Sequence, residues 1–177
     1  MRRTGFAAVL RIILTSIYAV VAVIMQCSVF PHLRLFGMIP EFALCAVVCI
    51  ACFEDEKVSC ILAVCAGFLL DTMGGGTFTL SPLLFLIAAA LSVFLSKYVF
   101  NRTFLSAVIS GTAALTVGAV KTAVILIISG APFLPVLVKT ALPQFLYGMI
   151  LLLPVYLLAA LHYRIFRNSF ENVHGVI

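Results

Sequence analysis

Charged residues are scarce in this chain: Lys, Arg, Asp and Glu together make up 10% of its 177 residues, whereas 64% are hydrophobic. Soluble domains carry about 25% charged residues, so a chain this apolar has too little polar surface to face water on all sides. Its apolar runs have the length of helices and lack the alternation of apolar and polar residues that marks the strands of a membrane barrel. The sequence therefore predicts an all-α, polytopic membrane protein.

Histidine is absent from the apolar runs, where a catalytic site within the membrane would need it. His32, His162 and His174 all lie outside the apolar runs. A hydrolase requires a nucleophile with its base, or paired carboxylates at a suitable separation, and the runs offer no histidine for such a site. We therefore expect neither enzymatic activity nor a cofactor, and the loops are too short for an extramembrane domain.

Six apolar runs follow one another, separated by short polar breaks. They cover about residues 9–30, 41–53, 58–70, 82–98, 104–128 and 136–161. A helical crossing needs about 20 residues, so the second and third runs are short. A re-entrant hairpin of these two would place the charged tetrad 54–57 at mid-membrane, at roughly 2.5 kcal/mol or more per charge.

We therefore expect both short runs to cross, either in a thinned bilayer or lengthened by flanks such as residues 36–39. The prediction is one bundle of six transmembrane helices over residues 1–161, followed by a short cytoplasmic tail, 162–177. The sequence shows no internal repeat and no linker that would divide this domain.

The distribution of Lys and Arg predicts the orientation of the bundle. With the N-terminus inside, the inner side holds seven basic residues and the outer side two: Arg2, Arg3, Lys57, Lys97, Arg102, Arg164 and Arg167 against Arg34 and Lys139. This asymmetry favours cytoplasmic N- and C-termini. It also accounts for the net charge of +5, so we expect no nucleic-acid partner.

The first run begins like a signal peptide, with Arg2 and Arg3 before an apolar stretch. The stretch is about 20 residues long, however, and no small-x-small cleavage motif follows it. We expect an uncleaved first helix.

Six cysteines raise a redox or metal interpretation. Cys45, Cys49 and Cys52 share one face of the second run, and the last two form a CxxC string. A structural zinc site needs four ligands and a polar second shell, whereas cysteine also packs well between helices as a small apolar residue. We expect packing and no metal.

Ionisable groups inside apolar runs are costly, so they usually pair or face a cavity. Lys121 lies within the fifth run, about five residues to the outer side of its midpoint. The predicted topology brings further polar residues to the same outer half: Gln26, Glu41, Asp71, Lys139 and Gln144. They form either a connected polar cluster containing Asp71 and Lys121, or separate interfacial side chains that each reach water.

Glycines and prolines mark irregular positions near this outer half. Residues 74–76 (GGG) lack the Lys-Ser/Thr of a phosphate-binding P-loop and instead predict a tight outer turn. Pro143 and Pro154 should kink the sixth helix. Bent helices suit a binding cavity or irregular packing, and the sequence leaves both open.

Several short motifs, in their order, resemble the bacterial rod shape-determining protein MreD family. The first run ends in QCSVFP (26–31), the segment FGMIPE (36–41) leads into the second run, and GFLLD (67–71) precedes a glycine-bearing loop through Gly76. By motif position the family's characteristic residues would be Pro40, Glu41, Gly67 and Asp71. Together with Gln26, Gly76, Lys121 and Gln144 they form the candidate site.

The resemblance implies a non-enzymatic scaffold of the elongation complex in the bacterial plasma or inner membrane. Its implied partners are membrane lipid, an MreC-like protein bound directly, and MreB, RodA and a class B penicillin-binding protein bound directly or through MreC. The family is also similar in fold to the six-helix substrate-binding components of energy-coupling-factor transporters. The outer polar layer, the bent helices and the six-helix size motivate an alternative function: a small-molecule subunit of such a transporter, binding a vitamin or a metal.

Overall fold

The computed structural model describes residues 2–33, 39–74, 80–99, 104–128, 130 and 137–174. Within these ranges the chain forms six α-helices: α1 Arg2–Ser28, α2 Phe42–Phe53, α3 Glu56–Met73, α4 Ser81–Phe94, α5 Phe104–Ile128 and α6 Leu142–His174. The prediction of an all-α chain with six helical runs is confirmed for the described residues.

In the described part of the chain, two five-residue π-helical turns adjoin these helices: Leu95–Val99 continues α4, and Leu137–Ala141 leads into α6. The second turn ends just before Pro143. Proline has no N–H, and its ring clashes with the carbonyl four residues earlier, so a wider turn accommodates it. Pro154 lies inside α6. The helix continues through residue 162, where the cytoplasmic tail was predicted to begin, so that domain boundary stays a prediction.

Among the described residues, four segments are long and apolar enough to cross a membrane: Val9–Ser28, Ser81–Tyr98, Phe104–Val124 and Leu142–Arg164. α2 has only 12 residues, about 18 Å at 1.5 Å per residue, against a hydrocarbon core of about 30 Å. α3 has 18 residues but carries charges near both ends, at Glu56, Lys57 and Asp71. Crossing by α2 and α3 stays a prediction.

The short α2 is the central helix of the bundle. It contacts each of the five other helices, and every residue from Ala43 to Phe53 is buried. Because neighbouring helices surround it, α2 has no need to match the thickness of the lipid. Its Ala, Cys and Val side chains let those neighbours approach closely.

The alternating helix directions create two ends. At the first, called here the acidic-turn end, the turn between α2 and α3 lies beside α1 and α6, since Thr15, Glu54 and Tyr163 line one small space. At the opposite end, called here the cavity end, Glu41 and Gln144 line a larger space. Which end faces the cytoplasm stays a prediction.

Candidate functional site: a polar layer at the cavity end

Glu41 directly precedes α2, and its carboxylate reaches α5 and α6. Gln144 Nε2 donates a hydrogen bond to Glu41 Oε1 at 3.1 Å and another to Thr122 Oγ1 at 3.3 Å. The carboxylate lies against Gly118, where an added Cβ would come within 2.8 Å of the Glu41 Cδ. A glycine at this point of α5 therefore makes room for the acidic side chain.

Lys121 and Asp71 are connected through the first residue of α4. Lys121 Nζ donates to Ser81 Oγ at 2.9 Å, and the Ser81 backbone N–H donates to Asp71 Oδ2 at 3.3 Å. A carboxylate suits this position because the first N–H groups of a helix lack partners within it. The positive charge of Lys121 also attracts the carboxylate of Glu41. Among the described residues, Asp71 and Lys121 do not form a direct ion pair within 4.0 Å.

Gln26 caps α2 from another helix. Its Oε1 accepts a hydrogen bond of 2.6 Å from the Ala43 backbone N–H. The N-cap residue Glu41 makes no side-chain capping bond of its own, so α1 supplies a partner that α2 would otherwise lack. Pro40 is fully buried beside this start.

Gly67 lies where α3 packs against α4. A Cβ at Gly67 would come within 2.6 Å of the Pro82 backbone nitrogen, so the two helix backbones touch there. The contact holds the end of α3 against the start of α4, and thereby Asp71 against Ser81. Gly76 and the side chain of Lys139 lie outside the described residues.

A second polar cluster, at the acidic-turn end, was missed by the sequence reasoning. Arg11 of α1 forms an ion pair with Glu54 at 3.0 Å, and Thr15 Oγ1 donates to Glu54 Oε1 at 3.2 Å. Glu54 is only 5% exposed, although the tetrad 54–57 was interpreted only as the polar break between the second and third runs. The signal was present: Arg11 interrupts an apolar run just as Lys121 does.

Cysteines 45, 49 and 52 are buried in α2. The Cys45 thiol donates to the Gly148 carbonyl at 3.5 Å, and Ser106 Oγ donates to Cys52 Sγ at 3.9 Å. The residues described here contain no group of three or more His, Cys, Asp or Glu side chains able to hold a metal ion. This geometry is that of cysteines packed between α2 and its neighbours.

Residues 7–166 match the family described as rod shape-determining protein MreD. The chain belongs to the MreD family. The match extends over most of the chain and confirms the family predicted from the short motifs. Comparisons with curated proteins and with solved structures gave no match. As an MreD-family member, the protein is a membrane protein that takes part in determining rod shape.

The lysine of the polar layer should contribute to stability. Replacing Lys121 with methionine removes the donor to Ser81 and the positive charge near Glu41. We expect the free energy of unfolding in detergent micelles to fall by about 1.5–3 kcal/mol, the usual contribution of a hydrogen bond to a charged group. Lys97→Met, in the π-helical turn after α4, is the matched control and should change stability by less than about 0.5 kcal/mol. Equal losses in the two variants would contradict the role of Lys121.

Proposed function

We propose that this MreD-family protein is a non-enzymatic scaffold of the bacterial elongation complex. It would link MreC and the peptidoglycan synthases to the MreB cytoskeleton, as a six-span protein of the plasma or inner membrane with both termini in the cytoplasm. The observation that carries the proposal is the family match over residues 7–166. MreC would bind directly, whereas MreB, RodA and a class B penicillin-binding protein would bind directly or through MreC.

The distribution of polar and apolar side chains supports a scaffold. Carboxylates at both ends of α2 contact polar side chains of other helices: Glu41 accepts a hydrogen bond from Gln144, and Glu54 forms an ion pair with Arg11. The outward faces carry large apolar residues instead, for example Ile13 on α1 and Leu153 on α6. In a protein with such short loops, helix faces of this kind are the available surface for partner helices as well as lipid.

Loss of the protein should abolish rod shape. We expect depletion in its own rod-shaped host to give round cells, with a tagged copy restoring rods and co-purifying MreC from detergent extracts. A membrane protein of similar size without a role in shape, carrying the same tag, controls for adventitious capture. Rods that persist after complete depletion would contradict the proposal.

Contact with MreC should be confined to part of the helix surface. A photo-crosslinking residue can replace one exposed apolar side chain on each outer helix: Ile13, Phe68, Leu83, Val120 and Leu153. We expect crosslinks to MreC from one or two adjacent helices and only lipid adducts from the others, so each position controls for its neighbours. The absence of MreC crosslinks from all five, together with failure to co-purify, would contradict direct binding.

One observation favours the alternative of a small-molecule-binding subunit. The polar layer borders a cavity of about 640 Å³, within the range of about 300–1,000 Å³ found for ligand sites. The family match gives more weight to the scaffold, and a bound ligand is compatible with it.

A further inference from the structure

α3 lies at the edge of the bundle and exposes one of its faces. It packs chiefly against α4, α1 and α2, and its outward side chains include Ile61, Cys65 and Phe68. The neighbouring helices enclose α2 but leave this face of α3 open, so α3 must match the medium around the protein. In a membrane that medium is the hydrocarbon core of the bilayer, which is about 30 Å thick.

The apolar part of this face is short. Charged residues bound it at Lys57 and Asp71, which lie about 21 Å apart along the helix at 1.5 Å per residue. The Asp71 carboxylate is held at its level because it accepts the Ser81 backbone N–H at 3.3 Å. Lys57 can reach outwards, but even counted from the exposed Asp55 the span is only about 24 Å. Tilting the helix would shorten this span across the membrane further.

The apolar segments of α1 and α6 are longer. On α1 the segment Val9–Ser28 has 20 residues, about 30 Å, and Arg11 near its start is paired with the buried Glu54. On α6 the segment Leu142–Arg164 has 23 residues, about 34 Å. Because α6 packs chiefly against α2 and α5, it lies on a different side of the bundle from α3. The apolar surface therefore spans a full hydrocarbon thickness on α1 and α6, and about two-thirds of it on α3.

We propose that the exposed face of α3 thins the lipid bilayer beside it, so that lipids with short acyl chains collect at α3 and not at α6. The inference rests on the proposed six-span topology, in which α3 crosses the membrane. A hydrophobic stretch shorter than the hydrocarbon core is accommodated by local thinning, and each ångström of mismatch has a cost in free energy. Lipids whose chains match α3 therefore reside beside it more often than longer ones do.

Tryptophan fluorescence can report the lipid composition at each face separately, because the chain itself contains no tryptophan. Cys65→Trp places a reporter near the middle of the α3 stretch, and Leu153→Trp places the control reporter in the middle of the α6 segment, both at exposed positions. The purified chain is reconstituted in equal mixtures of dimyristoleoyl and dierucoyl phosphatidylcholine, with either the short or the long lipid brominated to quench tryptophan. We expect the ratio of quenching by the short lipid to quenching by the long lipid to be at least about twofold higher at α3 than at α6.

Two results would overturn the proposal while leaving the topology intact. Equal ratios at the two faces would mean that α3 does not select short chains. An α3 reporter quenched by neither lipid nor aqueous iodide would mean that protein covers the face. Iodide separates these results from a failure of the topology, because an α3 that crosses the membrane shields its reporter as well as α6 does. An α3 reporter fully quenched by iodide would overturn the six-span topology together with the thinned bilayer.

Lengthening the apolar stretch of α3 tests whether its length is the cause. Glu56→Leu combined with Lys57→Leu, both at exposed positions, adds about 3 Å and should lower the α3 ratio by about a fifth or more. Glu56→Gln combined with Lys57→Gln removes the same charges but stays polar, so it is the matched control and should keep the ratio. An unchanged ratio in the leucine pair, or an equal fall in both pairs, overturns the role of stretch length. If the leucine pair does not fold, the comparison of the α3 and α6 reporters still decides the proposal.

Discussion

Replacing Arg11 with methionine is expected to lower the free energy of unfolding by about 3–5 kcal/mol, the usual cost of removing one partner of a buried ion pair. Arg11 is 24% exposed and Glu54 only 5%, and their charged groups are 3.0 Å apart. Without Arg11, Glu54 loses its counterion, and Thr15 offers little compensation because its single hydroxyl hydrogen is shared with the Arg11 carbonyl at 2.9 Å. The carboxylate also lies at the C-terminal end of α2, where the helix dipole disfavours negative charge. Unfolding monitored during titration with denaturing detergent measures the effect.

Two further variants distinguish the effect of losing the ion pair from the effect of losing any basic residue. Arg164→Met removes an exposed arginine of α6 near the same end of the bundle, and should change stability by less than about 0.5 kcal/mol. The double variant Arg11→Met with Glu54→Gln leaves no charge to bury and should recover most of the loss. An Arg11→Met protein as stable as Arg164→Met, or a double variant less stable than Arg11→Met, would contradict this account.

Helices were predicted from the sequence more successfully than contacts between them. The fifth run, 104–128, coincides with α5, and the second run ends with α2 at Phe53. Hydropathy locates such segments because a long apolar run bounded by polar residues suits a buried helix. Hydropathy is a property of the sequence alone and carries no information about which helices pack together. It therefore could not indicate that α2 is the central helix, enclosed by five others.

The polar residues illustrate the same limit. Burial cost singled out Lys121, Glu41, Asp71 and Gln144, and the structure places their side chains at one end. The role of Ser81 between Asp71 and Lys121 was not foreseen. Serine is common at the start of helices for purely local reasons, so its presence there did not indicate a contact with another helix. The functional role of these residues stays a prediction.

Gly67→Ala is expected to lower the free energy of unfolding by about 3 kcal/mol, the upper end of the usual cost of overpacking. The added Cβ would meet the backbone of Ser81 and Pro82, within 2.8 Å of the Ser81 carbonyl carbon. A backbone cannot rotate away as a side chain can, so α3 and α4 must separate. That separation would also move Asp71 away from the Ser81 N–H that it accepts from. Thermal unfolding in micelles measures the loss, and cell shape in a complementation assay reports its consequence.

Gly148→Ala is the matched control for this substitution. The three atoms nearest to its added Cβ all belong to the Leu115 side chain, whose methyl groups can move to another rotamer. We therefore expect a loss of about 1 kcal/mol at Gly148, at the low end for added methyl groups in a packed core. If the two variants were equally stable, the contact between α3 and α4 would have to be looser than the structure places it. A larger loss at Gly148 than at Gly67 would mean that side-chain packing between α5 and α6, and not the backbone contact of α3 with α4, limits the stability of the bundle.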